Sequence, residues 1–181
     1  TLFKAGFDMS KVYFHGNNKT RSEIELAMSC SVGHIVADNR YELDLIQTIA
    51  AEIGINQKIL FRIKPGIDAH THDFIKTGQI DSKFGVALEN GEAFEIYKYA
   101  AGLSNVTVDG VHCHIGSQIF ETEPFCEAAR VMMDFIAKIR DELNIDVKVL
   151  NLGGGFGIKY VCDDDPLTAS EYIKNVSEAV K

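Results

Sequence analysis

ILFRIKPGIDAHTHDFIKTGQIDSKFG, residues 59 to 85, decides between the two folds open to this chain. It begins as ILFRI, a short run of large and β-branched apolar residues, the form of a strand covered on both faces. From Lys64 to Gly85 it continues as a long polar connection. Barrels of alternating strands and helices place their active sites on the connections that leave the C-terminal ends of strands. The stretch therefore favours a barrel over an open doubly wound sheet.

Outward from it, strand-like and helix-like periods take turns. VYF at 12–14, IVA at 35–37, residues 106–114 and VKVLNL at 147–152 read as further strands. Helical spacing runs through residues 41–53, with Leu45, Ile46, Ile49 and Ile53 on one stripe. It returns through residues 123–143, with Phe125, Ala128, Met132, Phe135, Ile136, Ile139 and Leu143. Shorter helices are expected near 21–30, 91–101 and 168–181. Repeated βα units mean a parallel sheet. About five strands are legible against the eight of a closed barrel, so the expectation is an α/β chain forming part of a (β/α)8 TIM barrel, with no linker or repeat dividing residues 1–181.

A chain of 181 residues with 46% hydrophobic and 24% charged residues is long enough to bury its own core. Its net charge of −8 offers no basic stripe for a nucleic-acid backbone. Cys30, Cys113, Cys126 and Cys162 form no C-x-x-C pair, which suits free thiols in a reducing compartment. With no signal-like start and no apolar run of about eighteen residues, the expected setting is cytoplasmic, without a membrane. The start at Thr1 raises the expectation of a fragment.

Two motifs carry chemistry. NLGGGFGI, residues 151–158, follows a strand directly, and Gly153, Gly154 and Gly155 allow backbone N–H groups to converge on an anion, most often phosphate. The competing reading is a tight turn. The pattern matches neither the dinucleotide fingerprint nor the P-loop. HCHIGSQ, residues 112–118, also ends a strand, so His112 and His114 fall on one side. Three readings stay open: a metal pair in a barrel hydrolase, which needs further ligands that His70 and His72 could supply, with Asp38 the one carboxylate candidate; ordinary hydrogen-bonded histidines; or a cofactor role. In the last, Ser117 and the glycines grip one phosphate while His114 lies on an aromatic ring, the description of pyridoxal phosphate at barrel strand ends.

HGNNK at 15–19, RIKPG at 62–66, HTHDFIKTGQIDSKFG at 70–85, HCHIGSQ at 112–118 and NLGGGFG at 151–157 occur in this order. Together they resemble the diaminopimelate decarboxylase family, pyridoxal-phosphate enzymes of the alanine-racemase-like barrel class, over nearly the whole chain. Decarboxylases of ornithine, arginine and carboxynorspermidine share the H-x-G-S and G-G-G features. The resemblance implies that His114 stacks on the pyridine ring, and that Ser117 and the amides of Gly154 and Gly155 hold the phosphate, with Gly153 shaping the turn. It implies that Arg62 lies beneath the cofactor, for which an interior salt bridge is the alternative. It implies decarboxylation of meso-diaminopimelate to L-lysine, an amino-acid substrate and a homodimer. His15, Asn17 and Asn18 fall at another strand end. Lys83 does not match the family's cofactor-bonding lysine, which lies in a Y-A-x-K-A context that this sequence lacks. The later E-P-G-R and C-terminal cysteine motifs are lacking too. The expectation is thus a slice around the third to seventh barrel strands, without the C-terminal β-domain and inactive alone.

Overall fold

The computed structural model describes residues 1–67 and 84–181. Residues 68–83 of the long connection, with His70, His72 and Lys83, lie outside the described residues. Six strands form one sheet: β1 (Tyr13–Phe14), β2 (His34–Ala37), β3 (Gln57–Lys64), β4 (Val86–Ala87), β5 (Val106–Cys113) and β6 (Val149–Asn151). Each described pairing is parallel, in the order β1-β2-β3-β5-β6, with β4 beside the end of β3. Five helices complete the alternation: α1 (Arg21–Ser29), α2 (Arg40–Ile53), α3 (Glu92–Ala100), α4 (Glu123–Leu143) and α5 (Ala169–Ala179). All five expected strands are present. The sixth, β4, escaped the sequence reading because two residues carry no period.

Local chemistry sets the helix ends. Thr20 opens α1 with a reciprocal capping box to Glu23, and Thr168 opens α5 in the same way with Glu171. Asn39 accepts the amide of Glu42 to start α2, which stops at Gly54 in the left-handed conformation, φ +76°. The long α4 buries Phe125, Ala128, Met132, Phe135 and Ile139 along one stripe. Those side chains pack with Ile59, Phe61 and Ile63 of β3 and Val111 and Cys113 of β5 in the core under the helices. Strand alternation turns Leu60, Arg62 and His112 to the opposite face.

That opposite face is concave. β1 and β5 are three strand spacings apart, about 14 Å in a flat sheet. Yet His15, just beyond β1, meets His112 of β5 edge-on with ring centroids 4.7 Å apart. Near the other end of the strands, His34 of β2 reaches across β3 to Asp109 of β5, Nε2 to Oδ2 2.7 Å. Asp109 is placed for this by a bulge, since the β3–β5 register jumps from Ile59↔Val108 to Leu60↔Gly110. Tyr13 and residues of β6 line one apolar cleft of about 410 Å³. The sheet is therefore curled into part of a (β/α)8 barrel, helices outside, with β1 and β6 as its edges among the described residues.

Candidate functional site

The C-terminal ends of β5 and β6 carry the two motifs, and three sets of bonds make them one unit. Ile119 donates its N–H to the carbonyl of Gly155, 3.0 Å, and Gly157 donates back to the carbonyl of Ile119, 2.8 Å. The Gln118 side-chain amide pairs with the backbone of Ile158 in both directions, accepting its N–H at 3.1 Å and donating to its carbonyl. From below, the Tyr172 hydroxyl of α5 lies 3.0 Å from the carbonyl of Ile119 and 2.6 Å from that of Phe120. Phe156 stacks on Tyr172 at 4.6 Å and meets Phe125 of α4 at 4.8 Å. An aromatic cluster thus supports the glycine turn.

The glycines are required by proximity. A side chain on Gly155, φ +106°, meets the carbonyl oxygen of Gly116 at 1.9 Å; one on Gly153, φ +74°, meets His114 Nδ1 at 2.8 Å. Nothing lies within 4 Å of the corresponding point on Gly154. The ring of His114 therefore packs directly against the turn, and open space lies beside its middle residue. The N–H of Gly153 is spent on Asn151 Oδ1, 2.8 Å. Among the described residues no acceptor within the chain takes the N–H of Gly154 or Gly155. Ser117, on the facing loop, is exposed.

β5 ends at Cys113, and the two histidines of HCHIGSQ, which share His15 and Arg62 as neighbours, differ in what they pack on. His112 is 3% exposed and its Nδ1 is 3.0 Å from the carbonyl of Asn151. Facing a carbonyl, Nδ1 carries the proton. Burial, with His15 and Arg62 nearby, pulls its pKa down to about 4, so the imidazole is neutral at pH 7. Burial and the charge of Arg62 also lower His114, while burial, Lys19 and Arg62 lower His15. Among the described residues, no three His, Cys, Asp or Glu side chains form a group that fits a metal ion. Nothing described completes the metal reading of His112 and His114.

Arg62 is the residue of β3 in register with His112, and its guanidinium lies 4.5 Å from the Phe84 ring centroid. His15 sits at the same end through its contact with His112. Lys19 of the HGNNK motif is buried, its side chain 2% exposed. Its ammonium donates to the carbonyls of Gly16 and Val36, each 2.6 Å, and is ion-paired with Glu42 of α2. With three acceptors it is a structural tie and not a free amine. The sequence reading missed Lys19, Glu42, Asn151 and Tyr172 as supports of the site. Asn151 had a signal, an asparagine two residues before a glycine; Glu42 and Tyr172 had none, because only folding brings them to their partners.

The donors and the space fit a phosphate ester joined to an aromatic ring. The amides of Gly154 and Gly155 take no acceptor among the described residues, Ser117 lies on the loop packed against Gly155, and the His114 ring lies against Gly153. Comparison with known proteins bears on the cofactor and the family. The family model described as pyridoxal-dependent decarboxylase, pyridoxal binding domain, matches residues 1–181. The chain is 51% identical over its whole length to a diaminopimelate decarboxylase of Bacillus methanolicus, covering 42% of that protein. It is 47% identical to the one from Bacillus subtilis, covering 41%. The crystal structure of diaminopimelate decarboxylase from M. jannaschii superposes with a TM-score of 0.89 at 36% identity, covering 97% of this chain and 40% of that one. The Helicobacter pylori enzyme complexed with L-lysine gives a TM-score of 0.86 at 35% identity, covering 98% and 44%. The chain spans about two fifths of the length of these relatives.

Proposed function

Since the chain belongs to the pyridoxal-dependent decarboxylases, matching their pyridoxal-binding domain from end to end, we propose that it is the cofactor-holding part of a longer diaminopimelate decarboxylase, which converts meso-diaminopimelate to L-lysine and carbon dioxide. One observation carries the reading: the uncommitted amides of Gly154 and Gly155 and the exposed Ser117 are locked side by side with His114 against the same turn. Pyridoxal phosphate, when bound, supplies an electron sink for breaking the bond to the substrate carboxylate.

The chain's residues have binding and orienting roles. Ser117 and the two glycine amides would take the phosphate oxygens. His114, its pKa lowered by burial, would lie on the ring and set its plane. Arg62 would add positive charge from the floor of the barrel. Neutral His112 keeps β5 and β6 in step. The lysine that bonds the cofactor and the groups that read the far end of the substrate would come from the remainder of the longer protein. That protein is proposed to act as a homodimer in the cytoplasm, a setting supported by free cysteines spread through the described residues. In the full-length protein, His114→Ala and Ser117→Ala are each expected to lower pyridoxal-phosphate affinity and turnover at least tenfold; unchanged affinity and turnover in both would sink the reading. The 181-residue chain alone is expected to release no carbon dioxide from meso-diaminopimelate.

A further inference from the structure

Of the three glycine amides, one is spent before any ligand arrives. Asn151 Oδ1 accepts the N–H of Gly153 at 2.8 Å. Its own carbonyl accepts Nδ1–H of buried His112 at 3.0 Å, and its backbone is in ladder register with that residue. Asn151 is thus fixed at the main chain by β5 and uses its side chain to fix the first residue of the turn. Gly153 is held at φ +74° with the His114 ring against it, so the two amides that follow have one starting direction.

We propose that Asn151 is the positioning residue of the phosphate site. Its side chain sets the glycine turn in the binding conformation, so that Gly154 and Gly155 present their N–H groups without first ordering the chain. Glycine has the widest conformational range of any residue, and a turn of three pays most when a ligand must order it. A side-chain acceptor that orders the turn in advance removes that cost from binding. Asn151 does not touch the ligand in this scheme. It sacrifices one potential phosphate donor, Gly153 N–H, to aim two. His112 acts one step further back: buried among β-strands and neutral, it holds the Asn151 carbonyl and keeps the side chain at its post. The proposal rests on the phosphate reading above and deepens it.

The test compares two probes in the full-length protein, pyridoxal phosphate and pyridoxal, which lacks the phosphate. A residue that only stabilises the fold moves both affinities together; one that sets the phosphate cradle moves their ratio. Asn151→Ala is expected to lower the affinity ratio of pyridoxal phosphate over pyridoxal by about tenfold, the scale of one local capping bond. Asn151→Ser, whose shorter hydroxyl still accepts from the amide two residues on, is expected to fall between alanine and the parent. A ratio unchanged in Asn151→Ala, or a serine variant no better than alanine, overturns the proposal. Should the alanine variant fail to fold, the serine variant's ratio alone decides, since a value equal to the parent's overturns it. Ser117→Ala separates the two levels. A lowered ratio in Ser117→Ala with none in Asn151→Ala removes only the role of Asn151, whereas an unchanged ratio in Ser117→Ala removes the phosphate reading itself.

Discussion

Gly154 and Gly155 are adjacent and chemically identical, yet the structure gives them opposite tolerance. A methyl on Gly155 drives into the carbonyl of Gly116 at a positive φ, while one on Gly154 enters open space. Gly155→Ala is expected to cost about 3 kcal/mol or more, and Gly154→Ala under about 1 kcal/mol, measured by urea unfolding. His112 supplies a pH dependence. Its pKa falls from 6.5 unfolded to about 4 folded, so below pH 6.5 the unfolded chain takes up a proton that the folded chain refuses. Stability is therefore full above pH 6.5 and is lost as pH falls toward 4, by roughly 3 kcal/mol from this residue. His15 and His114 are shifted the same way and steepen the slope. His112→Gln is expected to flatten it in unfolding curves taken from pH 7 to 4.5.

Elements are joined at the site by single side chains. Lys19 ties the loop after β1 to the end of β2 and to α2 through Glu42, and so fixes where His15 leaves the sheet. Burial pushes the Glu42 carboxyl up against the pull of Lys19, so the pair has little reserve. Lys19→Met leaves a buried carboxylate without its cation and is expected to cost about 3–5 kcal/mol. Lys19→Met with Glu42→Leu recovers most of that in a double-mutant cycle, because replacing both charges removes the stranded one. A double variant as unstable as the single would place the damage in the freed carbonyls of Gly16 and Val36. The bond from Tyr172 does the corresponding work for α5, and its address on the loop of residues 114–120 is set by the aromatic cluster of Phe125, Phe156 and Tyr172.

At the scale of the whole molecule the sheet is curled, with β1 and β6 each paired on one side only among the described residues. Between them lies a cleft of about 410 Å³, lined by Tyr13, Leu150, Phe156 and Ile173 among others. Exposed strand edges and apolar surface favour association. Expressed alone, the 181-residue chain is expected to bind a hydrophobic dye and to sediment as aggregates. A sharp cooperative melt of a monomer would refute this.

Much of the architecture was legible because it is periodic. The 3.6-residue stripe of residues 123–143 coincides with α4, and the short β-branched runs coincide with five strands, since local spacing alone decides which side chains share a face. HCHIGSQ and NLGGGFG were legible as candidate chemistry, because a run of glycines after a strand and a histidine three residues before a serine are choices of residue type. What the sequence by itself determined is thus the alternation of βα units and the candidate groups. Only the tertiary structure decided that Asn151 consumes one amide, that Lys19 is buried under Glu42, and that His112 packs on the Asn151 carbonyl while His114 packs on Gly153. Those facts depend on the curl of the sheet and on partners many residues away, and side chains distant in sequence acquire their distances only when the barrel wall brings them together.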